Sequence, residues 1–189
     1  MLSFIGKIIT QLREENELTI EMLSDRTGIT IEKLKDIEGG LIIPSVGVMI
    51  KISRALGARL GTLLDGHESS GAVVSRAKEI TPSENLTSTR TGANRHMEFF
   101  ALARGKKDRS MEPLVVVIQP SGADKDVTSE HEGEEFIYVL EGAIRVHYGA
   151  EKHILETGDS IYYDSIVPHS IASADDQTAK ILAVVYTPY

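Results

Sequence analysis

Two histidines and a glutamate in the second half of the chain, His131, Glu135 and His169, have side chains that can hold a metal ion. His131 and Glu135 are an even number of residues apart near the start of a predicted strand, so both can point the same way. His169 comes on a later strand, after the turn at Gly158-Asp159. Two imidazoles and one carboxylate form the donor set of a facial triad, which suits Fe(II), Mn(II), Ni(II) or Zn(II). A pocket without metal, in which the same groups hydrogen-bond a small molecule, is the alternative, and both interpretations stay open.

Short runs rich in β-branched and aromatic residues must position these side chains. They are separated by Gly, Pro and Asp, and no helical pattern comes between them, which predicts a β-sandwich or small barrel. The predicted strands are Met97–Leu102, Leu114–Ile118, Glu135–Leu140, Ala143–Tyr148, Ser160–Tyr163 and Lys180–Tyr186.

Residues 129–142, SEHEGEEFIYVLEG, followed by Gly158-Asp159 and Pro168-His169, resemble the two motifs of the cupin superfamily. The resemblance covers about residues 115–185 and implies a double-stranded β-helix. It assigns His131, Glu135 and His169 as metal ligands, whereas Ser129 stands where the family's first histidine would be. The candidate pocket for a small-molecule effector comprises Ser129, His131, Glu135, Tyr138 and His169. Tyr138 and Tyr163 can each line this pocket or pack in the core, and the sequence favours packing for both. Arg145 and His147 alternate on the strand after Gly142, and we expect them to face solvent.

Residues 20–37, IEMLSDRTGITIEKLKDI, have the pattern of a helix-turn-helix. Leu23, Leu34 and Ile37 are apolar at spacings that let two short helices pack together, and Gly28 suits a turn that requires a positive φ. Thr19 and Thr30 each precede a helical run, where a hydroxyl can cap free backbone N–H groups. Apolar periodicity before and after this unit predicts about five short helices before residue 66.

The region 6–64 resembles the lambda-repressor-like (Xre/Cro) family of helix-turn-helix domains. The matching residues are Gly6-Lys7-Ile8, Leu12-Arg13, Leu18-Thr19, Leu23, Gly28-Ile29-Thr30, Leu34, Ile37-Glu38-Gly39, Pro44, Leu56-Gly57 and Leu63. The resemblance implies a structural Arg13–Glu38 ion pair and a recognition helix at Ile31–Glu38. It implies contacts to double-stranded DNA from Thr19, Thr30, Ile31, Glu32, Lys33, Lys35 and Asp36. Ile20 stands where the family often has a glutamine that touches the DNA backbone.

Composition and charge fit two domains with different partners. The chain of 189 residues is 41% hydrophobic, has no cysteine and carries a formal charge of −8. Residues 1–64 hold eight basic and eight acidic residues, so the whole negative excess lies after residue 64. Since an acidic surface repels phosphate, any DNA-binding surface belongs to the first domain. No predicted signal peptide or membrane span is present, and we expect a cytoplasmic protein.

These observations predict a helix-turn-helix domain at 6–64, a linker and irregular lead-in at 65–94, and a cupin β-barrel at 95–189. The predicted function is a transcriptional regulator, not an enzyme, that binds DNA as a homodimer and senses a small molecule. Met97–Leu102 is a candidate for part of the dimer interface. The alternatives are a cupin metalloenzyme (a dioxygenase or isomerase) with a helical appendage, and an interaction module that binds neither DNA nor ligand.

Overall fold

The computed structural model describes residues 4–65, 71–83, 96–106, 109–120 and 128–187. The helices of this part of the chain all precede residue 80, and its strands all follow residue 96. Much of the predicted linker and lead-in, at 66–70 and 84–94, lies outside the described residues, as does His67.

The first domain consists of five short α-helices. They are α1 (Phe4–Glu15), α2 (Ile20–Thr27), α3 (Ile31–Glu38), α4 (Val46–Ala55) and α5 (Leu60–Asp65), followed by a short 3-10 turn at Ala77–Glu79. The hydroxyls of Thr19, Thr30 and Ser45 accept backbone N–H bonds at the first turns of α2, α3 and α4. These caps satisfy donors that a helix start otherwise leaves unpaired. The predicted all-α bundle of five helices is confirmed.

The turn between α2 and α3 is built around a glycine. Gly28 has a φ of 67° and donates its N–H to the carbonyl of Ser24, which ends α2 in the left-handed conformation that favours glycine. Leu23, Leu34 and Ile37 are fully buried where the two helices pack. Arg13 on α1 holds Glu38, the last residue of α3, through bonds of 2.7 and 3.1 Å to its two carboxylate oxygens. The helix-turn-helix is therefore fixed at both ends.

The second domain is formed by two antiparallel sheets. The five-stranded sheet has the order β1-β2-β8-β3-β6, and the three-stranded sheet has the order β5-β4-β7. The strands are β1 (Met97–Ala101), β2 (Met111–Ile118), β3 (Glu134–Glu141), β4 (Ala143–Tyr148), β5 (Glu151–Glu156), β6 (Ser160–Asp164), β7 (His169–Ser173) and β8 (Ala179–Tyr186). The predicted all-β cupin fold is confirmed. Strand β5 was not predicted because half of its residues, EKHILE, are charged and most are exposed.

Alternation along the strands separates a core face from an outer face. On β3 the side chains of Glu135, Ile137 and Val139 are buried, whereas Tyr138 and Leu140, which alternate with them, are exposed. The described helices include none long and apolar enough to cross a membrane. The buried face carries the polar residues that form the candidate site.

Candidate metal centre and nucleic-acid interface

Three buried side chains converge at one end of the second domain. The ring nitrogen Nε2 of His131 lies 2.8 Å from Oε1 of Glu135, and Nε2 of His169 lies 3.4 Å from the same oxygen. All three donor atoms lie within 4.8 Å of one another. The structure thus brings together the predicted triad, with each residue offering one atom to a common point.

Backbone contacts between the segments that precede β3 and β7 place the triad. Ser129 and His169 exchange hydrogen bonds of 2.7 and 2.9 Å, which joins the two segments directly. The N–H of His131 donates to the carbonyl of Ser165 at 3.0 Å, and Ser165 donates back to Gly133 at 2.9 Å. Gly133 has a φ of 115°, and a Cβ there would overlap the carbonyl oxygen of Tyr186. Only glycine fits this turn between His131 and β3.

The histidine rings are oriented for a cation. Nδ1 of His131 donates to the carbonyl of Glu132 at 3.1 Å, and Nδ1 of His169 donates to the carbonyl of Val167 at 2.9 Å. In a neutral ring this bond leaves the lone pair of Nε2 directed at the carboxylate of Glu135. Two lone pairs beside a carboxylate repel one another unless a proton or metal ion lies between them. Histidines that bind a metal through Nε2 usually donate their Nδ1–H to a carbonyl or carboxylate, which fixes the ring, so the site fits a divalent metal.

The ionisation of the triad follows from burial and from the short contacts. Burial raises the pKa of Glu135, but the hydrogen bonds and charges of His131 and His169 outweigh it and lower the pKa to about 2. Burial lowers the pKa of His169, but its bond to Glu135 outweighs it, so that the pKa is raised. The carboxylate is therefore ionised, and it draws positive charge into the pocket.

Tyr163 belongs to the site although the sequence favoured a packing role for it. Its hydroxyl donates to Oε2 of Glu135 at 2.8 Å, the oxygen that does not face the histidines. Burial and the charge of Glu135 raise the pKa of Tyr163 well above its ordinary value, so the hydroxyl keeps its proton. The ring of Tyr163 also packs beside His169, with centroids 5.0 Å apart. Tyr163 and Glu135 are register partners on β6 and β3, a pairing with no local signal in the sequence.

Two other predicted pocket residues have different positions. Ser129 lies beside His169, with its Oγ close to Gly47 on α4 of the first domain. Tyr138 lies on the outer face of the sheet with 38% of its surface exposed, because it is an odd number of residues from Glu135. The structure thus replaces Tyr138 with Tyr163 in the pocket. Arg145 and His147 alternate with the buried Ile144 and Val146 and so point away from the core, as expected.

Five of the seven predicted DNA-contacting residues are exposed on the first domain, and the other two are half-buried. Thr19 and Thr30 are exposed at the starts of α2 and α3, where their hydroxyls act as caps. On α3, Ile31 and Asp36 are half-buried, and Glu32, Lys33 and Lys35 are exposed. Leu34 and Ile37, on the opposite side of the helix, are fully buried. The helix therefore presents a polar surface of mixed charge while its apolar side anchors it.

Comparisons with known proteins agree with this division. Residues 6–69 match the family model for a helix-turn-helix domain, and residues 114–185 match that for a cupin domain. The (S)-2-hydroxypropylphosphonic acid epoxidase of Streptomyces wedmorensis is 28% identical over 191 residues, covering 95% of this chain and 93% of that protein. The HTH-type transcriptional regulator PuuR of Escherichia coli (strain K12) is 20% identical over 183 residues, covering 97% and 94%.

Two solved structures are similar in fold over almost the whole of this chain. An HTH_3 family transcriptional regulator from Vibrio cholerae superposes with a TM-score of 0.71 at 21% identity, covering 99% of this chain and 97% of that one. A structure of Fe(II)-HppE with an alternative substrate superposes with a TM-score of 0.53 at 25% identity, covering 98% and 99%. The fold is thus similar to that of a regulator and of an iron-containing protein.

Proposed function

We propose that this chain, which joins a helix-turn-helix domain to a cupin domain, is a sequence-specific DNA-binding transcriptional regulator with a sensory cupin pocket. The observation that carries this proposal is the intact helix-turn-helix, whose recognition helix is anchored by Arg13 and Glu38 and exposes Glu32, Lys33 and Lys35. Similarity to PuuR over almost the whole of both chains supports it. We place the domains at residues 6–64 and 95–189, with 65–94 as the connection, and expect the protein in the cytoplasm with the DNA it regulates.

The exposed side chains of α3 are the groups that would read the DNA. Lys33 and Lys35 can bind phosphates or the acceptor edge of guanine, and Glu32 or Asp36 can accept a hydrogen bond from cytosine. The hydroxyls of Thr19 and Thr30 lie at helix starts, which is where backbone N–H groups meet phosphate in such complexes. Because the domain carries no excess of positive charge, we expect few phosphate contacts and therefore an affinity that falls only modestly as the salt concentration rises.

We propose that the cupin pocket binds a divalent metal through His131, Glu135 and His169, with Ser129 beside them. The metal would offset the negative charge of the Glu135 carboxylate and accept the Nε2 lone pairs of the two imidazoles. Three protein ligands leave coordination positions open. Similarity to the Fe(II)-HppE structure supports iron as the first metal to test. A small-molecule effector would bind at the open positions, within a pocket that Tyr163 completes.

We propose that the protein acts as a homodimer formed through the outer face of the five-stranded sheet. This face carries Phe136 and Leu182 partly exposed, and Tyr138 and Leu140 exposed to 38% and 40%. It includes Phe100 on β1, which lies within Met97–Leu102, the segment that the sequence indicated as a candidate interface. We propose a second copy of the chain as the partner of this face, because two copies related by a two-fold axis match the paired half-sites of an operator. Sedimentation of the wild type as a monomer at micromolar concentration would refute the dimer.

DNA binding is tested by selecting duplexes from a random library with the full-length protein and measuring affinity by fluorescence anisotropy. Lys33→Ala should weaken binding to the selected duplex and, if Lys33 contacts a phosphate, reduce the salt slope by about one. Lys152→Ala is the matched control, since Lys152 is an exposed lysine on β5 of the other domain. Failure of the wild type to select any sequence at low salt would refute the regulator.

A metalloenzyme is the second candidate, and the triad with open coordination positions favours it. The epoxidase relative is 28% identical over 95% of this chain and 93% of its own length. The test is to load the protein with Fe(II), supply (S)-2-hydroxypropylphosphonic acid and oxygen, and analyse the products. Turnover that is lost in His131→Ala would establish the enzyme, whereas loaded protein without turnover favours the sensor.

A further inference from the structure

The first turn of α4 lies beside Ser129 and His131. Gly47 is buried there, and a Cβ built on it would lie 2.6 Å from Oγ of Ser129 and 3.3 Å from Cδ2 of His131. Cδ2 is the ring carbon bonded to Nε2, the atom that faces Glu135. A helix of the DNA-binding domain thus touches the ring of a metal ligand, and it approaches so closely because residue 47 has no side chain.

The contact at Gly47 is one end of a longer interface between the domains. Arg54, two helical turns farther along α4, forms an ion pair with Glu132, the residue that follows His131. Arg59 donates to Oγ of Ser110 at 2.9 Å, ahead of strand β2. These bonds join the end of α4 and the loop that follows it to the second domain.

A buried ion pair supports the far end of this interface. The guanidinium of Arg109 lies so close to Gly61 on α5 that a Cβ there would be 2.7 Å from it. Nε of Arg109 binds Oε2 of Glu112 at 2.7 Å, and Glu112 lies on the core face of β2, in the same cross-strand row as Glu135. The two helices that follow the recognition helix therefore both rest on the β-domain.

The other side of α4 contacts the helix-turn-helix. Arg26 near the end of α2 donates to the carbonyl of Ala55, the last residue of α4, at 3.2 Å. Helix α4 packs against α2, and α2 packs against the recognition helix α3. A rigid helix that is packed at both ends passes a displacement from one contact to the other.

We propose that α4 couples the triad to the recognition helix, with the contact of Gly47 against Ser129 and His131 as the coupling point. A metal ion fixes the ring of His131 in one orientation, and that ring is part of the surface on which α4 rests. Loading therefore changes how well α4 docks, and α2 and α3 move with it. The inference rests on the proposed function, since it requires both metal binding and DNA binding.

Substitution at residue 47 tests the coupling without removing a ligand or a DNA contact. Gly47→Ala introduces a methyl group 2.6 Å from Oγ of Ser129 and 3.3 Å from Cδ2 of His131, so the packing of α4 against these two residues must change. Alanine is a better helix former than glycine, so α4 itself should persist. Adding Ser129→Ala removes the oxygen that overlaps and leaves the 3.3 Å contact with the ring, which a small shift relieves. Lys51→Ala, on the exposed part of α4, is the control.

The experiment measures affinity for a selected duplex with and without Fe(II), under anaerobic conditions, in all four proteins. The wild type and Lys51→Ala should show a change within the range of allosteric couplings, about 5- to 150-fold. Gly47→Ala should still bind DNA and Fe(II), but its DNA affinity should change less than about twofold when Fe(II) is added. The double variant should regain the change seen in the wild type. Fe(II) affinity measured with and without the duplex should change by the same factor.

The outcomes separate this inference from the proposed function. Full coupling in Gly47→Ala overturns the inference, and so does a wild type that binds DNA and Fe(II) independently, although both leave the proposed function standing. A wild type that binds no DNA refutes the proposed function, and the inference then falls with it. Circular dichroism of Gly47→Ala checks that its helices are intact, and the double variant decides the case if they are not.

Discussion

Removing the hydroxyl of Tyr163 should weaken metal binding without altering any ligand. This hydroxyl is the described partner of Oε2 of Glu135, at 2.8 Å, and both groups are buried. In Tyr163→Phe the carboxylate loses the bond that fixes its plane and stabilises its charge. A hydrogen bond to a charged group contributes about 1.5–3 kcal/mol. Removing a group that hydrogen-bonds a metal ligand typically lowers metal affinity by about 10–100-fold. The two ranges agree, since tenfold corresponds to about 1.4 kcal/mol.

The assay is a chelator-buffered titration with Fe(II) and, separately, with Zn(II). Tyr162→Phe is a matched control, because Tyr162 is the neighbouring residue on β6, is 63% exposed, and bonds Glu134 rather than Glu135. We expect the control to bind metal as the wild type does. Equal affinity in wild type and Tyr163→Phe would show that the tyrosine does not support the carboxylate. An equal loss in both variants would mean that the effect is general to the sheet.

Three further predictions concern stability. Without metal, the pair of Glu135 and His169 should stabilise the fold most between about pH 4.5 and 6.5. The pKa of Glu135 is lowered by folding, so its contribution to stability is lost as the pH falls from 4.5 towards 2. The pKa of His169 is raised by folding, so its contribution is lost as the pH rises through the pKa of the folded state. Metal replaces the proton of His169, so the rise in Tm on adding Zn(II) should be larger at about pH 8 than at about pH 6, and an equal rise at both would refute this. Glu38→Ala should lower the free energy of unfolding by about 3 kcal/mol, because it leaves the largely buried Arg13 without its carboxylate; chemical denaturation measures this, and a loss below about 0.5 kcal/mol would contradict it. Gly133→Ala should cost about 1–3 kcal/mol in backbone strain and also weaken metal binding, whereas unchanged denaturation would show that the turn adapts.

The helical domain could be predicted well because its signals are local. The recognition helix was expected at Ile31–Glu38, and α3 has those bounds, since Thr30 caps its start and the apolar residues Leu34 and Ile37 repeat at helical spacing. The Arg13–Glu38 ion pair came from family resemblance and is present in the structure. A cap and a period are each read within a few residues of sequence, so neither depends on how distant segments meet.

The pocket was harder to predict because strand register is not local. Glu135 and His131 were identified from their spacing, but the choice between Tyr138 and Tyr163 depended on which face each tyrosine occupies. Alternation from Glu135 places Tyr138 outside, and this could have been read from the sequence. That Tyr163 stands beside Glu135 depends on the pairing of β6 with β3, residues 28 apart in the chain. No local pattern states that pairing.

Regulator and enzyme place different demands on the docking of α4. Oγ of Ser129 lies close to Gly47, so a helix of the first domain packs beside the triad. An enzyme must admit substrate and release product at every turnover, whatever the state of α4. A sensor needs only two docking states, populated according to whether the pocket is filled. The bonds that hold α4 include the exposed Arg54–Glu132 pair, which contributes about 0–1 kcal/mol, and this suits reversible docking in either role. What separates the roles is whether DNA affinity changes when the pocket is filled. In a regulator, part of the free energy of binding in the pocket must change the affinity for DNA. In an enzyme, that free energy serves to bind substrate at the metal, and DNA affinity need not change.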